Sequence, residues 1–377
     1  MKRHVLLIGL LVGLGMIGLY AWLFRPLRCA SPTFPPPPSI VQLGDPEGAE
    51  VALVGLQPEL EPADYSCAER LMTKLSAYLD SARRSGCLPE SSIVVFPEYI
   101  GSWLVLLGEP IPTYRAQTLQ GALTWAALNH LLHFGREWVI ARQEGWKNPA
   151  AVAAFRLKAP QMAQAFHRIF STLAYQYRVF IVAGSIVLPG AEVRGDSVLV
   201  DSSAPLENVS FFYLPNGRPD AQVVRKAFPT VEELGFTQPA REEKLPVYET
   251  PFGRLGILIC ADSWFPQSYS ALGKVDILAV PSYLMGDSCW NRPWKGYSGW
   301  EAPENIHSTD LTEGQAWLTY GVGGRLPQHD STAIGLNVFL RGRFWDVGSD
   351  GKAIVVTRGS TETVDASIVC LRIKRGG

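Results

Sequence analysis

The chain opens on an uninterrupted apolar run over residues 5–24, and no later stretch matches it. About 20 apolar residues rising ~1.5 Å each cross a bilayer core of about 30 Å, so the run predicts one transmembrane helix. Lys2 and Arg3 precede it, Tyr20 and Trp22 near its end suit a membrane interface, and Arg25 and Arg28 follow. A cleaved signal is the rival. The run is long for one and no small-residue cleavage site follows, so an uncleaved anchor over residues 1–28 is expected. Basic residues lie on both sides, and their slight imbalance places the rest of the chain outside the cytoplasm. Residues 29–49, with Pro35-Pro36-Pro37-Pro38, read as a stiff spacer.

From residue 50 the pattern alternates between strand and helix. Val51–Leu56 reads as a buried strand, and residues 63–85 as an amphipathic helix with Leu71, Leu75 and Leu79 on one face. A short apolar strand at 93–96 ends at Pro97-Glu98. Residues 113–177 are mainly helical, with breaks expected at 145–149 and near Pro160. Strands then crowd at 179–187, 197–200 and 209–214. Pro215-Asn216-Gly217 turns the chain into a return strand, 222–225, that stops at Lys226. Residues 255–259 run unbroken into Cys260, and further strands are expected at 276–280, 335–340, 353–357 and 366–371. Short apolar strands alternating with helices predict an α/β domain over residues 50–377, its sheets buried between layers.

Composition narrows the partners. The chain has 377 residues, 47% hydrophobic and 18% charged, enough for one large core. A net charge of −1 without a basic stripe sets nucleic acid aside. The six cysteines form no C-x-x-C and the six histidines no H-E-x-x-H, so no metal or other cofactor is expected. His130 and His133, three apart on a helix, read as ordinary surface or core residues. The cysteines are too few for a disulfide scaffold and leave room for one bridge in an oxidising compartment.

Three reactive residues stand at strand ends: Glu98, Lys226 and Cys260. Singly, each has a plain reading, as a cap, a solvated hairpin charge and a small buried hydrophobe. Jointly they allow a mechanism. A thiol attacks an amide-like carbon as thiolate, and an unperturbed cysteine holds only a few per cent of that form at neutral pH. A carboxylate in a dry pocket, its pKa raised by burial, can take the thiol proton and return one to a departing amine.

Order and flanks together resemble the nitrilase, or carbon–nitrogen hydrolase, superfamily, over about residues 51–371. The resemblance rests on the opening strand Val-Ala-Leu-Val-Gly-Leu-Gln, the Phe-Pro-Glu signature, Pro251-Phe252-Gly253-Arg254-Leu255-Gly256 leading to Cys260-Ala261-Asp262, and Asp276-Ile277-Leu278-Ala279-Val280-Pro281-Ser282. It implies a four-layer αββα sandwich and a catalytic triad: Cys260 as nucleophile, Glu98 as base and acid, Lys226 at the oxyanion. The backbone N–H of Ala261 would be the second oxyanion donor. A supporting glutamate after the lysine is also implied, with Glu233 chosen and Glu232 its rival. The substrate class would be small amide-type molecules, cleaved through a thioester. Family members commonly associate through helical faces, which makes a homodimer an expectation of the resemblance.

Two departures stand out. The family's spacing between glutamate and lysine is far shorter, and the surplus falls in a helical insertion at about 105–175, either a cap over the pocket or a membrane-facing subdomain. Nitrile hydrolases tend to carry Cys-Trp-Glu where this chain has Cys-Ala-Asp, which points to amide or acyl-transfer chemistry. Trp290, Trp294 and Trp300 read equally as pocket lining or as core. Two other readings stay open. One is a membrane-associated N-acyltransferase with the same triad, against which a single anchor argues. The other is an inactive nitrilase-fold binding module, against which the intact triad argues.

Overall fold

Alternate residues along the strands face opposite ways, and this sorts the apolar side chains into two cores. The computed structural model describes residues 13–16, 18–32, 37–44, 51–241, 243–303 and 310–373. One sheet runs in the spatial order Ile40–Leu43, Ile368–Ile373, Val51–Leu56, Ile93–Val95, Phe180–Val182, Leu206–Tyr213, Pro219–Arg225, with Ile186–Pro189 also paired to Leu206–Tyr213. The second runs Val247–Thr250, Gly253–Ile257, Ile277–Ser282, Ile334–Phe339, Ala353–Thr357, Ser360–Val364. The central strands of each sheet are parallel to one another.

On one face of the first sheet, Val54, Leu56, Val94, Phe96, Ile181 and Phe211 pack with Leu71, Leu75 and Leu79 of the helix Ala68–Arg84 and with Phe166, Phe170 and Leu173 of the helix Pro149–Tyr177. On its other face, Leu53, Ile93, Val95, Val182, Phe212 and Val369 meet Leu255, Ile257, Leu336 and Val338 of the second sheet. That sheet is covered outside by Pro266–Leu272, Glu313–Thr319 and Val322–His329, through Leu272, Trp317 and Leu326. The layers are helix, sheet, sheet, helix. Gly55 lies where the sheets come closest: a Cβ there would strike the side chains of Val338 and Leu336.

The segment between the sheet strands Ile93–Val95 and Phe180–Val182 is helical: Ile111–Arg115, Leu119–Asn129, Leu131–Gln143 and Pro149–Tyr177. Thr118 and Asn148 start two of these helices by accepting the backbone N–H groups of Gly121 and Ala151. The break expected near Pro160 is absent, and the helix runs through it. Proline costs one helical hydrogen bond, but Lys158, Ala159, Met162 and Ala163 on either side are buried, and that packing holds the helix together. The strand expected at 179–187 is two strands, parted at Gly184, whose φ of +65° suits glycine and whose Cβ would collide with the carbonyl of Pro97.

Three N-terminal expectations need comment. The anchor over residues 5–24 falls partly outside the described residues, among which no helix is long and apolar enough to cross a membrane. Pro35 and Pro36 of the proposed spacer also fall outside them, but the spacer is not all spacer. Ile40–Leu43 adds a parallel edge strand beside Ile368–Ile373, because a β-branched pair can complete an open sheet edge. Finally, not one bridge but two are present, Cys29–Cys67 and Cys87–Cys370. Spacing along the chain could not show this, since the second joins residues 283 positions apart.

Candidate active site

Glu98 follows the strand Ile93–Val95, and Lys226 follows Pro219–Arg225, both in the first sheet. Cys260 follows Gly253–Ile257 in the second sheet. Stacking the two sheets therefore brings carboxylate, ammonium and thiol to one end of the sandwich, outside the ends of the strands, where α/β folds commonly place their sites.

The contacts are short and dry. Lys226 Nζ donates to Glu98 Oε1 at 2.8 Å and to Glu233 Oε2 at 2.6 Å, and only 1% of Lys226 is exposed. Glu233 stands in a short 3₁₀ turn and also accepts from the Tyr99 hydroxyl at 2.8 Å and the Thr230 N–H at 2.8 Å. Glu232, its neighbour and rival, is exposed. The Cys260 thiol donates to the Tyr283 carbonyl oxygen at 3.8 Å, and Glu98 is near enough for each group to shift the other's protonation.

Cys260 has a φ of +50°, a left-handed conformation that a non-glycine residue holds at a cost of roughly 1–3 kcal/mol. Tyr99, next to Glu98, has a φ of +63°. Both unusual turns aim residues at the same space. The sharp turn at Cys260 is pinned by Asp262, whose Oδ1 accepts from the N–H groups of Ala227 at 3.0 Å and Phe228 at 2.8 Å. One carboxylate thus ties the Cys260 turn to the residues directly after Lys226.

Electrostatics separate the two glutamates that share the lysine. Burial pushes Glu98 up to about 7, against the pull of Lys226 and with the push of Glu233. Burial also acts on Glu233, but the charge and hydrogen bond of Lys226, with Thr230 and Tyr99, hold it below the usual carboxylate range. Burial would lower Lys226, yet Glu233, Glu98 and Cys260 hold it well above the ordinary lysine value. Burial and the nearby Glu98 push the Cys260 thiol up, so no thiolate is preformed. The cluster combines a permanently charged pair, Lys226 with Glu233, and a carboxylate that gains and loses its proton near neutrality.

A cavity of about 120 Å³ opens at Cys260 and Ala261 and is walled by Trp264, Trp294, Tyr297, Trp317 and Glu313, among others. Of the tryptophans considered from sequence, Trp294 lines it. Trp290 packs into the core against Phe339, and Trp300 donates to the Pro229 carbonyl. His130 bonds Glu109, and His133 is exposed on the same helical segment.

A family model described as carbon-nitrogen hydrolase matches residues 50–303. The chain belongs to the carbon–nitrogen hydrolase family. No curated protein matches the hydrolase's sequence. Among solved structures it is similar to an amidase from Nesterenkonia sp., with 13% identity and a TM-score of 0.50 over 87% of this chain and 91% of that one. A mutant of the Nesterenkonia AN1 amidase from the nitrilase superfamily gives 12% identity and 0.51, over 87% and 92%. A third structure, a mutant of the amidase from Nesterenkonia sp. AN1 with the acetamide moiety of fluoroacetamide added covalently at its active-site cysteine, gives 13% and 0.51, over 87% and 92%. At such identities these likenesses speak for the nitrilase-like α/β fold.

Sequence reasoning did not find Asn208. Its Nδ2 donates to Glu98 Oε1 at 2.9 Å and Glu233 Oε1 at 3.0 Å, while its backbone carbonyl accepts from the Lys226 N–H at 2.9 Å. The only signal was a lone amide inside the apolar strand Leu206–Tyr213 of the hydrolase. Asp262 was visible in Cys260-Ala261-Asp262, but nothing local showed that it reaches back to Ala227 and Phe228. Replacing Asp262 by alanine would leave those two N–H groups without their acceptor. We expect a loss of about 2 kcal/mol in urea unfolding. A change below about 0.5 kcal/mol would show that Asp262 does not pin the turn.

Proposed function

We propose that the hydrolase cleaves a non-peptide, amide-type carbon–nitrogen bond through a thioester on Cys260. The observation that carries this reading is the buried Glu98–Lys226 pair, at 2.8 Å, gathered with the Cys260 thiol at one end of the sandwich. Glu98 takes the thiol proton as Sγ bonds to the carbonyl carbon. The oxyanion that forms is stabilised by the Lys226 ammonium and the backbone N–H of Ala261. Collapse breaks the C–N bond, and Glu98 gives its proton to the departing amine. Water then attacks the thioester, again losing a proton to Glu98; collapse breaks the C–S bond, and Glu98 returns the proton to the Cys260 sulfur as the acid is released. Glu233 keeps Lys226 charged and in place throughout. The covalent adduct on the active-site cysteine of the amidase neighbour agrees with this chemistry.

We also place the hydrolase at a membrane, with its domain outside the cytoplasm. The apolar run at residues 5–24 supports the first part, and two disulfides support the second, since such bridges persist in oxidising compartments. Leu128, Leu131, Leu132 and Val139 are exposed on the helices of the insertion, beside the anchor end through the Phe24–Trp125 ring contact. Those residues suit a membrane-facing subdomain.

Cys260→Ala is expected to lower amide turnover at least ~10⁴-fold with circular dichroism unchanged, and Glu98→Gln to lose turnover near pH 7 and to show no acyl mass on Cys260 by intact-protein mass spectrometry. Turnover by the alanine variant at the wild-type rate would end the mechanism. Protease added to intact cells should digest the domain, and full protection would place it on the other side.

A further inference from the structure

The cavity at Cys260 holds a carboxylate that the mechanism does not use. Glu313 lines the same 120 Å³ cavity as Cys260 and Ala261, at the start of the helix Glu313–Thr319. Four aromatic residues complete that wall: Trp264, Trp294, Tyr297 and Trp317. They brace one another, with Trp264 at 5.8 Å from Trp294, 5.7 Å from Tyr297 and 4.9 Å from Trp317, and Trp294 at 5.8 Å from Tyr297.

A half-buried carboxylate beside indole rings loses part of its hydration, which an accompanying cation would replace. Among the described residues no lysine or arginine forms an ion pair with Glu313, and the buried indole N–H of Trp317 in the same wall has no hydrogen-bond partner. Arg325, the nearby buried cation, reaches the Trp264 carbonyl at 3.2 Å and the Tyr297 hydroxyl at 3.1 Å, and does not line the cavity. Nor is Glu313 needed to start its helix, because Thr312 and Gln315 already form a reciprocal cap. Its ordinary reading, a favourable negative charge in a first helical turn, would be met equally well at the surface.

We propose that the pocket selects amide-type substrates carrying a cationic group, an ammonium bound by Glu313 and by the faces of the surrounding tryptophans. Indole faces attract cations, more strongly when water is excluded, and a carboxylate adds a charge-assisted hydrogen bond. Burial lifts Glu313 to about 7, so the group is mostly ionised at pH 8, and an incoming ammonium would draw it further. The volume limits the acyl part that fits: cavities of about 150 Å³ accommodate benzene, so about six non-hydrogen atoms can enter here. The inference rests on Cys260 being the place where the amide carbon is attacked, with Glu313 lining the same cavity.

Binding to the full-chain Cys260→Ala protein at pH 8 tests it by calorimetry with two primary amides of equal size, cationic 3-aminopropanamide and neutral butanamide. The cationic amide is expected to bind at least tenfold more tightly, and Glu313→Gln in the same background to remove most of that ratio. Equal affinities, or a preference that survives Glu313→Gln, overturn the inference. Turnover of butanamide by the wild-type protein reports on the catalytic reading separately. If butanamide is cleaved and no cation preference exists, the pocket assignment alone fails. Cation-selective binding that depends on Glu313, with neither amide cleaved, supports the pocket and removes the catalytic reading instead.

Discussion

Lys226 carries its charge in a place almost closed to water, and it is held there by Glu98 and Glu233 at 2.8 and 2.6 Å. Bringing an ammonium out of water costs several kcal/mol, and two carboxylates can offset that only if their own hydrogen bonds are met. Here they are met unequally. Glu233 takes Tyr99, Thr230, Asn208 and Lys226, which hold it ionised. Glu98 takes Lys226 and Asn208 and is left near neutrality, with the thiol as its remaining neighbour. A cluster of three charges cannot keep all three fixed, and the one left free to titrate is the one beside sulfur.

The sandwich makes that inequality mechanical. Glu98 and Lys226 belong to one sheet and Cys260 to the other, so the site exists only while the two sheets stay in contact. Gly55 permits that contact from inside the core, and Asp262 ties the two sheets together at the site itself. The left-handed turns at Tyr99 and Cys260 are tolerated because strand ends, ring packing and these hydrogen bonds hold both residues on either side.

How much of this could be read along the chain depends on whether the signal was local. Apolar runs that stop at Glu98 and Cys260 are local, and they marked both strands and both residues. Lys226 needed the turn at Pro215-Asn216-Gly217, which is also local. Asn208, by contrast, acts through partners 110 and 25 positions away, and a single amide in an apolar strand carries no indication of them. The Cys87–Cys370 bridge and the edge strand Ile40–Leu43 both depend on where the last strand lies, which the order of residues does not show. Pro160 misled for the opposite reason: a strong local signal was overruled by packing on both sides of it. Glu313 sits in a first helical turn, where glutamate is common, and only the cavity distinguishes it.

The most direct test of the account is the pH dependence of Cys260 alkylation by a small neutral reagent. Burial and Glu98 keep the thiol protonated at neutral pH, so the reaction must borrow Glu98 as its base. The account predicts that the rate rises through a limb near pH 7 in the wild-type protein, and that in Glu98→Gln this limb disappears and labelling begins only above about pH 9. An unchanged profile in Glu98→Gln, or a wild-type profile with its only limb above pH 9, would contradict it.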